Sequence, residues 1–488
     1  MRILLVSAEA VPFAKVGGLA DVVGSLPAAL RQSGLDARVI IPGYGFIEHL
    51  KYQISRLFSF DFGHKFGSTR VDVYTCVYDG VPFYFVQAWP YFGNERAVYL
   101  GWNEDVPRFI FFNQVVLAAA WQLRERLGWF PDVFHVHDWH TALLPFLLAD
   151  SRWKQEWQHT ASVLTIHNIA YQGNHVGGYL WQTGIPTRDH HLLRQFNLTD
   201  NMLGIATAYC DIVTTVSPRY ATEIQYPYAG YELAGLIRAR ASDLRGILNG
   251  IDTTLWNPET DPYLISRYHA GSFEEQRIIN KRHLQSYCRL PIRDDVPVIG
   301  VVSRLTRQKG LDLALPALHR LLAETDVQFV LLGTGDADLE YELGWLALRF
   351  PEKARVFLTF DGALSQHIYS GCDIFLMPSH FEPCGIGQMI AMRYGALPLV
   401  RETGGLADTV INYDNGDGDV GTGFVFQWEE PEAVLGTLRW ALETYYNRPK
   451  AWRRMQRRAM QMDLSWSSSA GQYIEVYELA TRRLKGEA

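Results

Sequence analysis

Short β-branched and aliphatic runs alternate with amphipathic helical stretches along this chain, and the alternation runs through twice. The first half reads "RILLVS", a helix over Leu19–Ser33, "ARVIIP", "VDVYTCV", a helix near Val106–Leu127, "DVFHVHD", "SVLTIHN" and "DIVTTVS". The second half restarts with "VPVIGVVSRL", "VQFVLLGTG", "ARVFLTF", "CDIFLMPS" and "ALPLV", each followed by a helical pattern. Apolar strands punctuated by helices mark mostly parallel sheets covered on both faces. The fold class is therefore α/β with two doubly wound domains in tandem, and 488 residues suffice for two sizeable cores. Asn-Gly, Asn-Pro and Asp-Pro cluster in "LNGIDTTLWNPETDP", where periodicity lapses, which sets the first domain at 1–246 and the second at 247–465. Residues 466–488 read as a last amphipathic helix, expected to cross back to the first domain.

A formal net charge of -7 argues against a nucleic-acid partner and against attachment to an anionic membrane, because both need a basic face. Five scattered cysteines without CxxC spacing argue against a disulfide framework and a structural zinc site, so a reducing, cytoplasmic setting is expected. The apolar run in "MRILLVSAEA" is too short for a signal peptide, and no window holds eighteen uninterrupted apolar residues. Of the 14 tryptophans, most belong to large cores, which leaves a minority to stack on sugar rings.

In parallel α/β sheets, ligands bind outside the carboxyl ends of the strands, where loops enter helices. The unusual residues of this chain sit at such ends. In "SAEAVPFAKVGGLAD", Gly17 and Gly18 let backbone N–H groups approach an anion, the following helix aims its positive pole there, and Lys15 adds a charge. A plain helix cap is the alternative. The pentapeptide "GGLAD" recurs at Gly404–Asp408, in what reads as an analogous strand-to-helix loop, with Thr403 beside Gly404 and Gly405; a methyl on Gly18 or on Gly405 is expected to block backbone approach to the ligand. "SRLTRQKGLD" sets Arg304 and Lys309 around a helix start, where cations oppose the helix dipole and a diphosphate would compensate them. Removing either is expected to cost activity and little stability.

"MPSHFEPCGIGQMIAM" is the most informative segment. Pro378 and Pro383 extend the loop, Gly385 and Gly387 open the next helix, and Glu382 stands before it, as a helix-start charge or a receptor for hydroxyls. Cys384 reads as a small packing residue, since a nucleophile needs a base such as His380 at hand. In "HVHDWH", His135 and His137 share a strand face and Asp138 and His140 follow; lacking a second cluster at ligand spacing, they read as hydroxyl binders and not metal ligands. "TIHNIAYQG" adds His167 and Asn168 at another strand end, and "LNGID" puts Asn249 at the domain crossing.

In order and spacing, "AKVGGLADVVG", "VHDWH", "TIHNIAYQG", "LNGID", "SRLTRQKGLD", "EPCGIGQMIAMRYG" and "TGGLADTV" resemble the bacterial glycogen synthases and plant starch synthases, the family 5 glycosyltransferases of the GT-B fold. The resemblance spans essentially the whole chain. Val16 stands where most bacterial members carry Thr, and "KVGGL" is similar to the cyanobacterial glycogen synthases and starch synthases III and IV. The resemblance implies two Rossmann-like domains facing a deep inter-domain cleft, with the glucan acceptor on the first and the nucleotide sugar on the second. It implies retaining transfer of glucose from ADP-glucose to the non-reducing end of an α-1,4-glucan (glycogen, starch or a malto-oligosaccharide), with no cofactor and no required metal. It puts Lys15, Arg304 and Lys309 on the donor phosphates near Gly17 and Gly18, and Thr403, Gly404 and Gly405 near the diphosphate. Glu382 and the turn of Cys384, Gly385 and Gly387 fall on the glucosyl hydroxyls, and Asp138, His137, His167, Asn168 and Asn249 fall around the transferred sugar. Glu382, Arg304, Lys309, His167 and Asp138 form the implied catalytic set; Asp21 matches a family position and reads as a sugar-site or loop-capping residue. The implied location is the cytoplasm, or the plastid stroma in a plant or alga.

Two other readings compete. A retaining GT-B enzyme using UDP-glucose shares the Arg…Lys and Glu…GxG logic, and a non-catalytic glucan-binding or priming scaffold would bind without turnover. Such a scaffold should have lost the charges that Lys15, Arg304 and Lys309 retain. A Rossmann oxidoreductase has only the lone GxG of "LLGTGDAD" in its favour.

Overall fold

The computed structural model describes residues 1–417 and 419–486. The chain forms two compact units, one of Met1–Gly250 with the chain from Trp466 onward, the other of Ile251–Ser465. The crossings thus follow Gly250 and Ser465, where the sequence reading set them after 246 and 465.

Among the described residues, the first unit carries a nine-stranded sheet. Its strands are β1 (Arg2–Val6), β2 (Asp36–Pro42), β3 (Ser55–His64), β4 (Gly67–Tyr78), β5 (Val81–Gln87), β6 (Val133–His137), β7 (Ala161–Ile166), β8 (Ile212–Thr215) and β9 (Leu244–Gly246). They lie in the order β3-β4-β5-β2-β1-β6-β7-β8-β9. Pairing is parallel from β5 to β9, while β3/β4 and β4/β5 are antiparallel. Only the β4 part of that antiparallel flank is legible as a strand in the sequence. β3 carries a single fully buried position, so its hydrophobic signal is weak. The helix Gly18–Gln32 covers the sheet with Leu19, Val22, Val23, Leu26 and Leu30, all buried at three- and four-residue spacing. Each such side chain contributes roughly 1.5–3 kcal/mol of burial. The helix Trp466–Leu484 belongs to the same unit: the Tyr477 hydroxyl lies 2.8 Å from His135 Nδ1, and Ser469 Oγ donates to the Leu248 carbonyl at 2.5 Å.

The second unit carries six wholly parallel strands: β10 (Val298–Val302), β11 (Gln328–Leu332), β12 (Ala354–Phe357), β13 (Ile374–Met377), β14 (Leu397–Arg401) and β15 (Phe424–Phe426). Their order is β12-β11-β10-β13-β14-β15. The parallel part of the first sheet and the whole of the second each reverse direction of progression at one place, between β1 and β6 in the first unit and between β10 and β13 in the second. At such a reversal the loops on either side run to opposite faces and leave a crevice at the carboxyl edge.

This topology corrects one expectation. Gly17–Asp21 leaves β1, at the reversal, whereas Gly404–Asp408 leaves β14, one strand beyond it. The counterpart of β14 in the first unit is β7, whose loop carries His167 and Asn168. The two pentapeptides therefore do not occupy analogous loops.

Candidate functional site

In the second unit, the loop after β10 passes through a short 3-10 turn, Arg307–Lys309, to Gly310 at φ +69. A Cβ on Gly310 would lie 1.9 Å from the Pro378 carbonyl oxygen, so this loop rests directly on the loop after β13. His380 N donates to the Gln308 carbonyl at 2.9 Å, and Gln308 Nε2 donates to the Phe381 carbonyl at 3.2 Å. The docking brings Lys309 Nζ to 2.6 Å from Glu382 Oε2, which also accepts from Ser379 Oγ at 3.2 Å. Glu382 is only 6% exposed. Arg304 is exposed, and among the described residues no carboxylate forms an ion pair with it. One carboxylate, one ammonium and one guanidinium leave this crevice net positive, which suits a diphosphate beside a sugar.

The turn after β14 packs on the same loop. Gly404 sits at φ +42, and a Cβ there would fall 2.0 Å from the Glu382 carbonyl oxygen; at Gly405 it would fall 2.2 Å from the Cys384 carbonyl oxygen. Gly405 N donates to the carbonyls of Glu382 at 3.1 Å and Pro383 at 3.2 Å. The expected reason for glycine is thereby corrected: a methyl on Gly405 would strike the protein's own backbone before any ligand. Gln388 Nε2 holds the turn from below, donating to the carbonyls of Cys384 and Gly385 and to Thr409 Oγ1 at 3.0–3.1 Å. Gly387 begins the helix Gly387–Arg393. His380 meets Glu429 through Nδ1 and Asp312 through Nε2, so it is not disposed as a base for the buried Cys384.

In the first unit, Asp138 follows β6 with φ 55 and ψ -174, a conformation that costs a residue bearing a Cβ on the order of 1–3 kcal/mol. Its surroundings hold it there. Its N–H donates to the Thr165 carbonyl at 3.0 Å, and its Oδ1 accepts from the amides of His167 at 2.7 Å and Asn168 at 3.4 Å. Burial pushes the Asp138 carboxyl up to about 7; the two amides oppose the shift and nearby Glu9 adds to it. Burial also holds His135, His140 and His167 down at about 3 and His137 well below its ordinary value, so at neutral pH these rings are uncharged. His135 engages Thr165 Oγ1 at 2.6 Å and the Tyr477 hydroxyl at 2.8 Å, and His137 Nδ1 lies 3.0 Å from His167 Nε2. His137 Nε2, His140 Nδ1 and Asn249 Oδ1 are buried with no hydrogen-bond partner among the described residues. Buried polar atoms are normally paired, so neutral groups of this kind at one sheet edge suit a ligand rich in hydroxyls.

The loop after β1 differs from its sequence reading in one respect. The amides of Val16 and Gly17 donate to Glu9 Oε2 at 2.6 and 2.9 Å, and the Tyr99 hydroxyl donates to Glu9 Oε1 at 2.5 Å. The anion at this turn is thus the protein's own carboxylate. Lys15 Nζ lies 2.7 Å from Asp21 Oδ1 across the turn, and Asn168 Oδ1 accepts from Ala170 N at 3.1 Å. Sequence reasoning passed over Glu9, Tyr99, Ser379 and Gln388. Glu9 alone carried a signal, as the carboxylate of "SAEAV" at a strand end; the others act through contacts remote in sequence.

Residues 2–239 match the family described as the starch synthase catalytic domain, and residues 289–460 match the glycosyl transferases group 1. The chain is 44% identical to a glycogen synthase of Streptococcus sanguinis, over 98% of this chain and 99% of that protein. It is 43% identical to a glycogen synthase of Streptococcus gordonii over the same shares. Among solved structures, the catalytic domain of starch synthase IV from Arabidopsis thaliana, bound to ADP and acarbose, superposes with a TM-score of 0.88 at 32% identity over 99% of each chain. A sucrose-phosphate synthase from Thermosynechococcus elongatus superposes with a TM-score of 0.61 at 16% identity over the whole of both chains, a likeness of fold alone. The two-domain α/β architecture expected from the resemblance is the GT-B fold of these glycosyltransferases.

Proposed function

The chain belongs to the glycogen synthase and starch synthase family of glycosyltransferases, and from that premise we propose that it transfers glucose from ADP-glucose to the non-reducing end of an α-1,4-glucan with retention at the anomeric carbon. The observation that carries the reading is the Lys309–Glu382 pair at the β10/β13 reversal, with Arg304, which forms no ion pair among the described residues, on the same loop after β10. Breaking the sugar–phosphate bond gathers negative charge on ADP and positive charge on the sugar ring. Preorganised cations on one side and oxygen ligands on the other then stabilise the transition state more than the ground state.

In this reading Arg304 and Lys309 neutralise the departing phosphate, with Lys15 and the Thr403–Gly405 turn assisting. The ammonium of Lys309 has three protons, so it can hold Glu382 with one and phosphate oxygens with the others. Glu382, oriented by Lys309 and Ser379, receives glucosyl hydroxyls together with the Cys384–Gly387 turn. Asp138, His137, His167, Asn168 and Asn249 surround the transferred sugar. The acceptor hydroxyl attacks the anomeric carbon on the face that ADP leaves: the new C–O bond forms as the C–O bond to phosphate breaks, and the leaving phosphate oxygen takes the hydroxyl proton. The His167 carbonyl, whose residue is fixed through its amide by Asp138, supports the cationic ring.

No metal is required in this scheme, because charged side chains already meet the diphosphate. His135 in addition has both ring nitrogens engaged by hydroxyls. Among the described residues no helix is long and apolar enough to cross a membrane. The five free cysteines support a reducing location, which we take to be the cytoplasm. The test is transfer of radiolabelled glucose to glycogen from ADP-glucose and, in parallel, from UDP-glucose. Incorporation from ADP-glucose supports the reading; preference for UDP-glucose, or glycogen binding without incorporation, overturns it.

A further inference from the structure

A second feature of the Ile251–Ser465 unit lies outside the loops assigned to the donor. A groove of about 620 Å³ runs between the helix Gly404–Thr409, the strand β15 and the helix Pro431–Asn447. That volume falls within the range of roughly 300–1,000 Å³ typical of small-molecule sites. Its polar lining residues are Glu402, Asn412, Gln427 and Thr437, whose hydroxyl donates to the Ala433 carbonyl at 2.9 Å and can still accept, beside Trp428 at 71% exposure. Among the described residues no lysine, arginine or histidine lines it. Phosphorylated and other anionic ligands therefore find nothing to neutralise them, and Glu402 disfavours them further. A carboxylate, two amides and a hydroxyl beside a flat aromatic face are instead the complement of a neutral ring with hydroxyls on its rim and C–H groups on its face.

Two details show that the groove is built into the unit. Asn412 Oδ1 accepts from Val425 N at 2.8 Å, which fixes that side chain and leaves its N–H groups to donate elsewhere. Gly436 lies inside the helix Pro431–Asn447, where glycine weakens a helix relative to alanine. A Cβ there would meet no atom within 4 Å, so no neighbour demands the glycine; its lack of a side chain keeps the groove open.

We infer that this groove is a second carbohydrate site, which holds a neutral α-glucan chain apart from the residues that transfer glucose. The inference rests on the proposed function for the identity of the glucan. The groove borders the catalytic loops without sharing their groups: Glu402 directly precedes Thr403–Gly405, and Glu429, next to Trp428, hydrogen-bonds His380 on the Glu382 loop. A long glucan bound there stays close to the site between transfers, and the gain is one of effective concentration. A short acceptor gains nothing.

The test measures retardation of the full-length enzyme in native gels containing glycogen, and turnover of ADP-glucose on glycogen and on maltotriose. The variants are Trp428→Ala and Gly436→Lys, the second of which fills the groove from a position where a side chain meets no obstruction. Both variants are expected to weaken glycogen retardation by about tenfold, the scale of losing one aromatic anchor, and to raise KM for glycogen. Turnover on maltotriose should stay within about twofold of wild type, since no residue assigned to the reaction is touched. Retardation and KM for glycogen unchanged in Gly436→Lys, in an enzyme fully active on maltotriose, overturns the inference. An equal loss on maltotriose also overturns it, because the groove would then be part of the reacting site. An enzyme that turns over no ADP-glucose on either acceptor refutes the proposed function instead.

Discussion

Gly17–Asp21 and Gly404–Asp408 have the same five residues and begin helices in both units, yet the glycines answer to different neighbours. In the first unit the helix runs fifteen residues, a Cβ on Gly17 would meet no atom within 4 Å, and the turn is clasped by the Glu9 carboxylate. In the second the helix is six residues long, and Gly404 and Gly405 are pressed onto the backbone of Glu382 and Cys384. One turn is tied by charge at an open surface, the other by close packing of main chain on main chain. Local grammar makes both segments start helices. What passes overhead decides whether glycine is required.

The sharpest way to break this contrast is to add one methyl to each. Gly405→Ala must displace the Cys384 carbonyl and with it the loop that holds Glu382, so turnover should fall by about a thousandfold or more, with several kcal/mol of stability lost. Gly17→Ala should cost less than about 1 kcal/mol, since the added methyl is unobstructed. Thermal unfolding and ADP-glucose turnover of the two variants decide it. Equal damage to folding would mean that the two turns are equivalent after all.

The two cations of the second unit extend the comparison. Lys309→Ala and Arg304→Ala should each lower turnover by about a hundredfold or more, as expected when a preorganised charge partner of the transition state is removed. Their stabilities should separate, contrary to what their sequence context suggests. Lys309→Ala leaves the buried Glu382 carboxylate without its cation, a loss of about 3 kcal/mol, while exposed Arg304, which forms no ion pair among the described residues, can be removed with little change. Denaturant unfolding that shows the two variants equally stable would argue that the ion pair has no structural role.

On the first unit's edge the charge that matters is one that titrates. The Asp138 carboxyl lies at about 7, above its ordinary 3.8, so between pH 4 and pH 7 the folded protein holds a proton that the unfolded chain has released. Stability then falls as pH rises through that window, by up to about 4 kcal/mol at roughly 1.4 kcal/mol per pH unit. Asp138→Asn lacks this loss, and its stability relative to wild type should grow from pH 4 to pH 7 and level off above. For wild type, kcat/KM for ADP-glucose should rise through pH 7 as the carboxylate forms, and the variant should be slow and lack that limb. A parallel stability profile for both proteins would remove Asp138 from the argument. The smallest effect is expected from a chelator, which should leave activity within about twofold if side-chain cations alone meet the diphosphate. Inactivation by EDTA that one metal restores would contradict it.

Much of this was legible in the sequence. The βα rhythm and the gathering of Gly, Lys, Arg, His and Glu at strand ends follow from local periodicity, because a strand or a helix declares its buried face within a few residues. β3 escaped because it is half exposed, and β15 because it is only three residues long. The alignment of the two pentapeptides as analogous loops failed because strand order in a sheet is a property of pairing between distant segments.

By itself the sequence determined the alternation of elements, the doubly wound class and the short loops that carry the chemistry, since these depend on residues that are neighbours along the chain. Only the tertiary structure decided that Lys309 meets Glu382 73 residues away, that Glu9 occupies the first glycine turn, and that Gly404 and Gly405 are held by sterics. Those outcomes depend on which backbone comes to lie against which, and that is set by the packing of whole layers whose free energy no short stretch of sequence contains.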